Sequence, residues 1–257
     1  MNWKTQWVAF STMVRYEIKR VIRIWRQTIF PPIITQSLYF VIFGGFIGSQ
    51  VREINGVPYM LFIVPGLVMM AMITAAFTNV SFSYFASKFQ KSIEEILVAP
   101  VHIGTLLAGY VAGGVIRGCV TGFMVFLISF FFVRPEIYSF SILILFAVLV
   151  SVIFALAGFL NGTFAKTFDD VGTFSTFILT PLTYLGGVFY PISALPPLWQ
   201  TASRFNPIVY MVDGFRFGVT GMSEFPLSIS IALLLLVIAI LLGLNMRLLR
   251  KGVGLKQ

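Results

Sequence analysis

A chain of 257 residues that is 58% hydrophobic, 11% charged and +9 in net charge does not fit a soluble domain, where about 45–50% apolar and about 25% charged residues are usual. A soluble fold has too little interior to hide that much apolar surface, so a bilayer is the expected solvent. The positive balance does not point to nucleic acid, because the cations gather at the chain ends and in the gaps between apolar runs, the pattern of cytoplasmic charge bias in membrane proteins.

Residues 3–26 read as an amphipathic helix. Trp7, Phe10, Val14, Ile18, Val21 and Trp25 recur at steps of three and four, while Lys4, Arg15, Lys19, Arg23 and Arg26 fall on the opposite side. Such a helix lies in the membrane surface, aromatics in the headgroup boundary and cations against anionic lipid. The segment lacks the continuous apolar stretch and small-residue cleavage site of a secretory signal. Pro31–Pro32 is expected to break the chain direction after it.

Apolar segments follow at about 30–50, 58–82, 110–133, 138–164, 171–191 and 226–247. Each has about 20 residues or more, enough to cross a ~30 Å hydrocarbon layer at ~1.5 Å per residue. Six spans put both termini on one side. That side carries Lys4, Arg15, Lys19, Arg20, Arg23, Arg26, Lys88, Lys91, Lys166, Arg247, Arg250, Lys251 and Lys256, against Arg52, Arg134, Arg204 and Arg216 on the other. Both termini are therefore expected in the cytoplasm.

Arg117 falls within the third span, where a charge is a functional candidate by default. The run from Ile103 to Val133 would be about 46 Å long as a helix, which places Arg117 about 24 Å inward from Val133 and within snorkelling reach of the cytoplasmic interface. Snorkelling and a buried pairing or substrate role both remain open for it. Gly114, Gly118 and Gly122, with Gly109 and Gly113 before them, let helices approach closely, within the chain or across a dimer seam. Cys119 has no disulfide partner and reads as a packing residue; His102 is an isolated loop residue.

No G-x-x-x-x-G-K-[ST] phosphate loop is present, so the chain is not expected to bind nucleotide by that route. No metal-ligand spacing and no Ser/His/Asp set occurs, so neither a catalytic nor a metal site is expected. Every acidic residue, Glu17 included, falls outside the six spans. Ion-driven carriers usually need a carboxylate at membrane depth, so energy for uphill movement would come from a partner.

Two segments suit such a partner and its transmission. In "SKFQKSIEEILVAPVHIGT" (87–105), Lys91, Glu94 and Glu95 alternate with Ile93, Ile96 and Leu97, and Pro100 ends the pattern. This predicts a short amphipathic helix at the cytoplasmic surface, with Lys91 and Glu95 able to pair at i,i+4, of the kind that docks into a groove on a soluble subunit. An ordinary solvated turn fits the same pattern. The second segment, "YLGGVFYPISALPPLWQTASRFNPIVYMVDGFRFG" (184–218), is apolar yet punctuated by Pro191, Pro196, Pro197 and Pro207. Pro196–Pro197 and Asn206–Pro207 are helix starts, the latter with Asn as cap. Helices over about 196–205 and 207–217 would be about 15 Å long, too short to cross. They are expected to dip into the outer leaflet and return, with Asp213 and Arg216 neutralising each other three residues apart.

The pieces "EEILVAPV" (94–101), "LTPLTYLGGVFYP" (179–191), "LPPLWQ" (195–200) and "NPIVYMVDGFR" (206–216), with the N-terminal helix and six spans, resemble the ABC type-2 transporter permeases over essentially the whole chain. The resemblance implies an all-α polytopic membrane protein of one permease domain, 1–257, in the bacterial inner membrane. Its parts would be a connecting helix at 3–26, a coupling helix in 87–101 and re-entrant helices at 192–221 between spans five and six. It implies a homodimer that docks on a separate ATPase subunit, where ATP and magnesium would bind; no cofactor is expected in this chain. Lys91, Ile93, Glu94, Glu95, Leu97 and Pro100 would couple to that ATPase. Tyr190, Pro191, Leu195, Pro196, Trp199, Asn206, Pro207, Asp213 and Arg216 would form the extracellular gate. Trp7, Phe10, Arg15, Lys19, Arg23 and Trp25 would hold the membrane surface. The implied activity is export of an amphipathic or lipid-like substrate. The rival readings are a non-transporting assembly or sensory subunit, and a passive channel.

Overall fold

In hydrocarbon each backbone N–H and C=O needs a partner within its own segment, so long apolar runs become helices. The computed structural model describes residues 3–51, 53–54 and 56–254; Arg52, Lys256 and the side chain of Leu97 lie outside the described part. In chain order the helices are α1 (Trp3–Arg23), α2 (Trp25–Gln50), α3 (Tyr59–Phe89), α4 (Ser92–Val98), α5 (Ile103–Ser129), α6 (Phe140–Phe164), α7 (168–184), α8 (Pro197–Arg204), α9 (Pro207–Thr220) and α10 (Leu227–Arg250). A two-residue antiparallel ribbon, Glu53–Ile54 with Val57–Pro58, joins α2 to α3.

Among the described residues five helices, α2, α3, α5, α6 and α10, are long and apolar enough to cross a membrane. The expected fifth span, 171–191, differs: α7 runs in three successive pieces of seven, five and five residues, the middle one a π-turn at Ser175–Leu179. Pro181 lacks an amide hydrogen and crowds the carbonyl four residues back, which favours such a widened turn. The Thr180 hydroxyl donates to the Ser175 carbonyl at 2.9 Å across it. Gly187, at φ +71°, then takes the chain out of the helix after Tyr184. Thr167 and Asp170 close the start of α7 with a reciprocal capping box.

Pro31–Pro32 does not turn the chain. The two prolines sit in the first turn of the helical piece Phe30–Tyr39, where a missing amide hydrogen costs nothing, and α2 continues through them.

Helix α3 is the hub. Its most apolar window is 78% buried, against 11% for α2 and α10. It packs on α5, α6 and α9. The glycines make this close approach possible: Gly114 faces Val80 and Ala155, Gly118 faces Ala76 and Ser151, and Gly162 faces the Ser81 carbonyl. The small-residue stripe of α5 therefore serves packing within the chain.

Candidate functional site

Helix α4 hangs between α3 and α5 by its apolar side. Ile93 is buried with Tyr84, Leu106, Tyr110 and Leu249. Glu94 and Glu95 are exposed, and Val98 is 87% exposed. Lys91 adopts the left-handed conformation at φ 59° as the residue before the helix. It is thus not on a helical face, and it forms no ion pair with Glu95, contrary to the i,i+4 expectation. Pro100 lies beyond the helix, and its carbonyl is taken up from α1: the Gln6 amide donates to it at 2.9 Å. The Gln6 carbonyl in turn accepts from the His102 amide at 2.9 Å and the Thr105 hydroxyl at 2.8 Å. One side chain of α1 thereby ties down the turn that leads from α4 into α5. Just before α4, Lys88 is buried in the last turn of α3, and its ammonium donates to the Gly162 and Thr163 carbonyls at 2.8 Å each. It caps the C-terminal end of α6.

Helix α1 keeps Trp7 and Trp25 well exposed, along with Arg15, Lys19 and Arg23, while Phe10 is half-buried; Trp25 already belongs to α2. The inward face is not the apolar stripe alone. Met13 lies on Gly109 of α5 and Glu17 on Gly113. Glu17 is 2% exposed: it lies outside the membrane-length helices but is buried against two of them, α3 and α5. Its oxygens meet the Arg20 guanidinium at 2.8 Å, the Ser83 hydroxyl at 2.6 Å and the Asn79 amide at 3.3 Å. Asn79 Oδ1 accepts from Arg20 at 2.8 Å and from Arg117 at 3.3 Å. Arg117 therefore takes part in a polar cluster between α1, α3 and α5, which decides for the pairing reading over snorkelling alone. The signals for this cluster were Asn79 and Ser83, four apart in an otherwise apolar span, and the shelf of Gly109 and Gly113.

The stretch after α7 forms a second joint. Asn206 caps α9, accepting from the Ile208 amide at 3.0 Å, with Pro207 in the first turn as expected. Its side-chain amide also donates to the Leu182 carbonyl at 2.7 Å. The Tyr190 hydroxyl donates to the Tyr184 carbonyl at 3.1 Å, and Pro191 is buried beside it. Asp213 and Arg216, both buried, do not pair. Asp213 accepts from the Glu224 and Phe225 amides at 2.9 and 3.1 Å. Arg216 donates to the Gly187 carbonyl at 2.6 Å and the Phe62 carbonyl at 3.4 Å, and its guanidinium lies 3.8 Å from the Phe62 ring centre. Asp213 is spent on amides of the loop before α10, and Arg216 on carbonyls of the loop after α7 and of the first turn of α3. The structure thus brings together Tyr190, Pro191, Asn206, Pro207, Asp213 and Arg216. Leu195, Pro196 and Trp199 stand apart on and before α8, Trp199 being 49% exposed. Helix α9 is longer than expected and largely buried.

Between α5 and α6 lies an apolar cavity of about 470 Å³, with Phe123, Phe126, Phe130, Phe140 and Phe215 among its walls.

A bundle of membrane-length helices with a short amphipathic helix between the second and third of them defines a multi-pass membrane protein, and the comparisons specify which. The model of the ABC-2 type transporter family matches residues 8–220, and the chain belongs to that family. It is 51% identical over 251 residues to the inner membrane transport permease YadH of Escherichia coli (strain K12), covering 98% of each chain. It is 24% identical over 180 residues to nodulation protein J of Rhizobium leguminosarum bv. trifolii, covering 70% of this chain and 69% of that one. A transport permease is the reading these matches support for the chain.

Proposed function

We propose that this permease is the membrane subunit of an ATP-binding cassette exporter in the bacterial inner membrane. It works as a homodimer with both termini in the cytoplasm, and ATP with magnesium binds on a separate ATPase subunit. Helix α7 and residues 185–191 supply a sixth crossing, and α8 and α9 form the re-entrant element near the extracellular gate. The ATPase docks on α4.

The observation that carries this reading is the division of α4 into two sides. Ile93 is anchored in the core, while Glu94, Glu95 and Val98 face away from the chain. An 87% exposed valine beside two exposed carboxylates suits an apolar groove with a cationic rim on a soluble partner. The cargo is amphipathic or lipid-like: the phenylalanine-lined cavity offers apolar accommodation for such a molecule.

Co-purification with a candidate ATPase tests the docking. The double variant Glu94→Lys/Glu95→Lys is expected to abolish association and permease-stimulated ATP turnover; unchanged association and turnover would sink the proposal. In proteoliposomes, substrate movement must need both ATP and the ATPase. Flux without ATP would instead mark a passive channel.

A further inference from the structure

The cluster between α1, α3 and α5 holds more positive than negative charge. Glu17, Arg20 and Arg117 are its charged members, and they leave one cation uncompensated. Asn79 Oδ1 draws both guanidiniums to one point, but an amide oxygen carries no charge to offset theirs. An unbalanced cation beside a span is costly and calls for a counter-ion.

We propose that Arg20 and Arg117 together bind the phosphate of an anionic phospholipid headgroup. Three features favour that ligand. The first is access: the Glu17 side chain is sealed at 3% exposure, whereas Arg20 retains 15% and Arg117 is only half-buried. An approaching ion meets the guanidiniums and not the carboxylate. The second is donor supply. Arg20 makes its bonds through Nη2 and Arg117 through Nη1, and the Nε of each is buried without an acceptor. Among the described residues, Nη1 of Arg20 and Nη2 of Arg117 bond to nothing. The unused Nη hydrogens suit phosphate oxygens. The third is depth. Arg117 lies one turn, about 6 Å, beyond the point where Glu17 of α1 rests on Gly113 of α5. Met13 on Gly109 and Glu17 on Gly113 show α1 running alongside α5, and Arg20 lies five residues before Trp25, where the membrane-length helix α2 begins; with α2 crossing from the cytoplasmic side, on which this inference rests, that is headgroup level, where basic pockets between helices hold lipid phosphates.

One excess cation matches one phosphodiester. A zwitterionic lipid would bring its own cation against the second guanidinium.

The full-length protein in detergent, titrated with phosphatidylglycerol, phosphatidylcholine or inorganic phosphate and read by native mass spectrometry and thermal unfolding, tests this. One phosphatidylglycerol should be retained in preference to phosphatidylcholine, and millimolar inorganic phosphate should not displace it. Arg117→Gln should cut the preference about fivefold, the worth of one basic group near a membrane surface. Arg250→Gln, an exposed cation of α10, should leave the preference unchanged. Glu17→Gln raises the local charge and should strengthen the preference, an outcome that a merely structural cluster would not give; this variant decides if Arg117→Gln does not fold. An unchanged preference in Arg117→Gln, an equal loss in Arg250→Gln, a weaker or unchanged preference in Glu17→Gln, or full displacement by inorganic phosphate would each overturn the proposal.

Discussion

Gln6 donates to the Pro100 carbonyl at 2.9 Å across a separation of 94 residues, so the start of α1 and the exit from α4 are one joint. Its three hydrogen bonds fall on a single turn. Gln6→Ala should remove all three, at about 1–2 kcal/mol of stability in a partly exposed setting. The larger effect should be on transmission: the ATPase still binds α4, but permease-stimulated turnover in proteoliposomes falls several-fold. Turnover equal to wild type would show that the clamp is only structural.

Arg216→Lys keeps the charge of α9 but loses the fork. A lysine ammonium cannot reach the Gly187 and Phe62 carbonyls while lying flat on the Phe62 ring as the guanidinium does. A loss of about 1–3 kcal/mol is expected, read as a lower unfolding temperature in detergent. A variant as stable as wild type would mean that the main-chain contacts contribute little.

Asp213→Asn is nearly isosteric, yet it turns one acceptor into a donor facing an amide hydrogen. Either the Glu224 or the Phe225 amide loses its partner. Hydrogen exchange over residues 221–226 should quicken by roughly fivefold or more, corresponding to a loss of about 1–3 kcal/mol, while exchange in α3 is unchanged.

The Asp170 carboxylate accepts from the Lys166 and Thr167 amides, which holds its pKa below the ordinary aspartate value. The folded form is thus the stronger acid. The cap is fully present above the pKa of the unfolded chain, near 4, and is lost as pH falls through the lower folded value. The Thr167 amide shift, followed by NMR, should titrate below pH 4 and stay flat in Asp170→Asn. A midpoint at or above the ordinary value would contradict the cap.

Much of this fold was legible because hydropathy over 20 residues is a strong signal in lipid. The helices over Tyr59–Phe89, Ile103–Ser129, Phe140–Phe164 and Leu227–Arg250 overlap the runs read from composition. The start of α9 was equally plain, since Asn206–Pro207 is a local signal whose meaning does not depend on tertiary context. Three things were not legible. Pro181 and Gly187 shorten α7 inside a run that is apolar throughout, and apolarity says nothing about where a helix stops. Pro31–Pro32 gives the same signal for a chain break and for a first helical turn. Asp213 and Arg216 fit an i,i+3 pair in sequence, and only the surrounding loops reveal that backbone groups claim both.

The cluster around Asn79 has a consequence for the order in which the chain is made. Glu17 and Arg20 leave the ribosome before Asn79 and Ser83, and those before Arg117. When the polar turn of α3 reaches the bilayer, the carboxylate that it bonds is already waiting on α1. The last cation to arrive finds its acceptor, Asn79 Oδ1, already held by Arg20. Each polar group that α3 and α5 add to the cluster thus meets a hydrogen-bond partner made earlier, and the N-terminal helix is in place before the spans that pack against it.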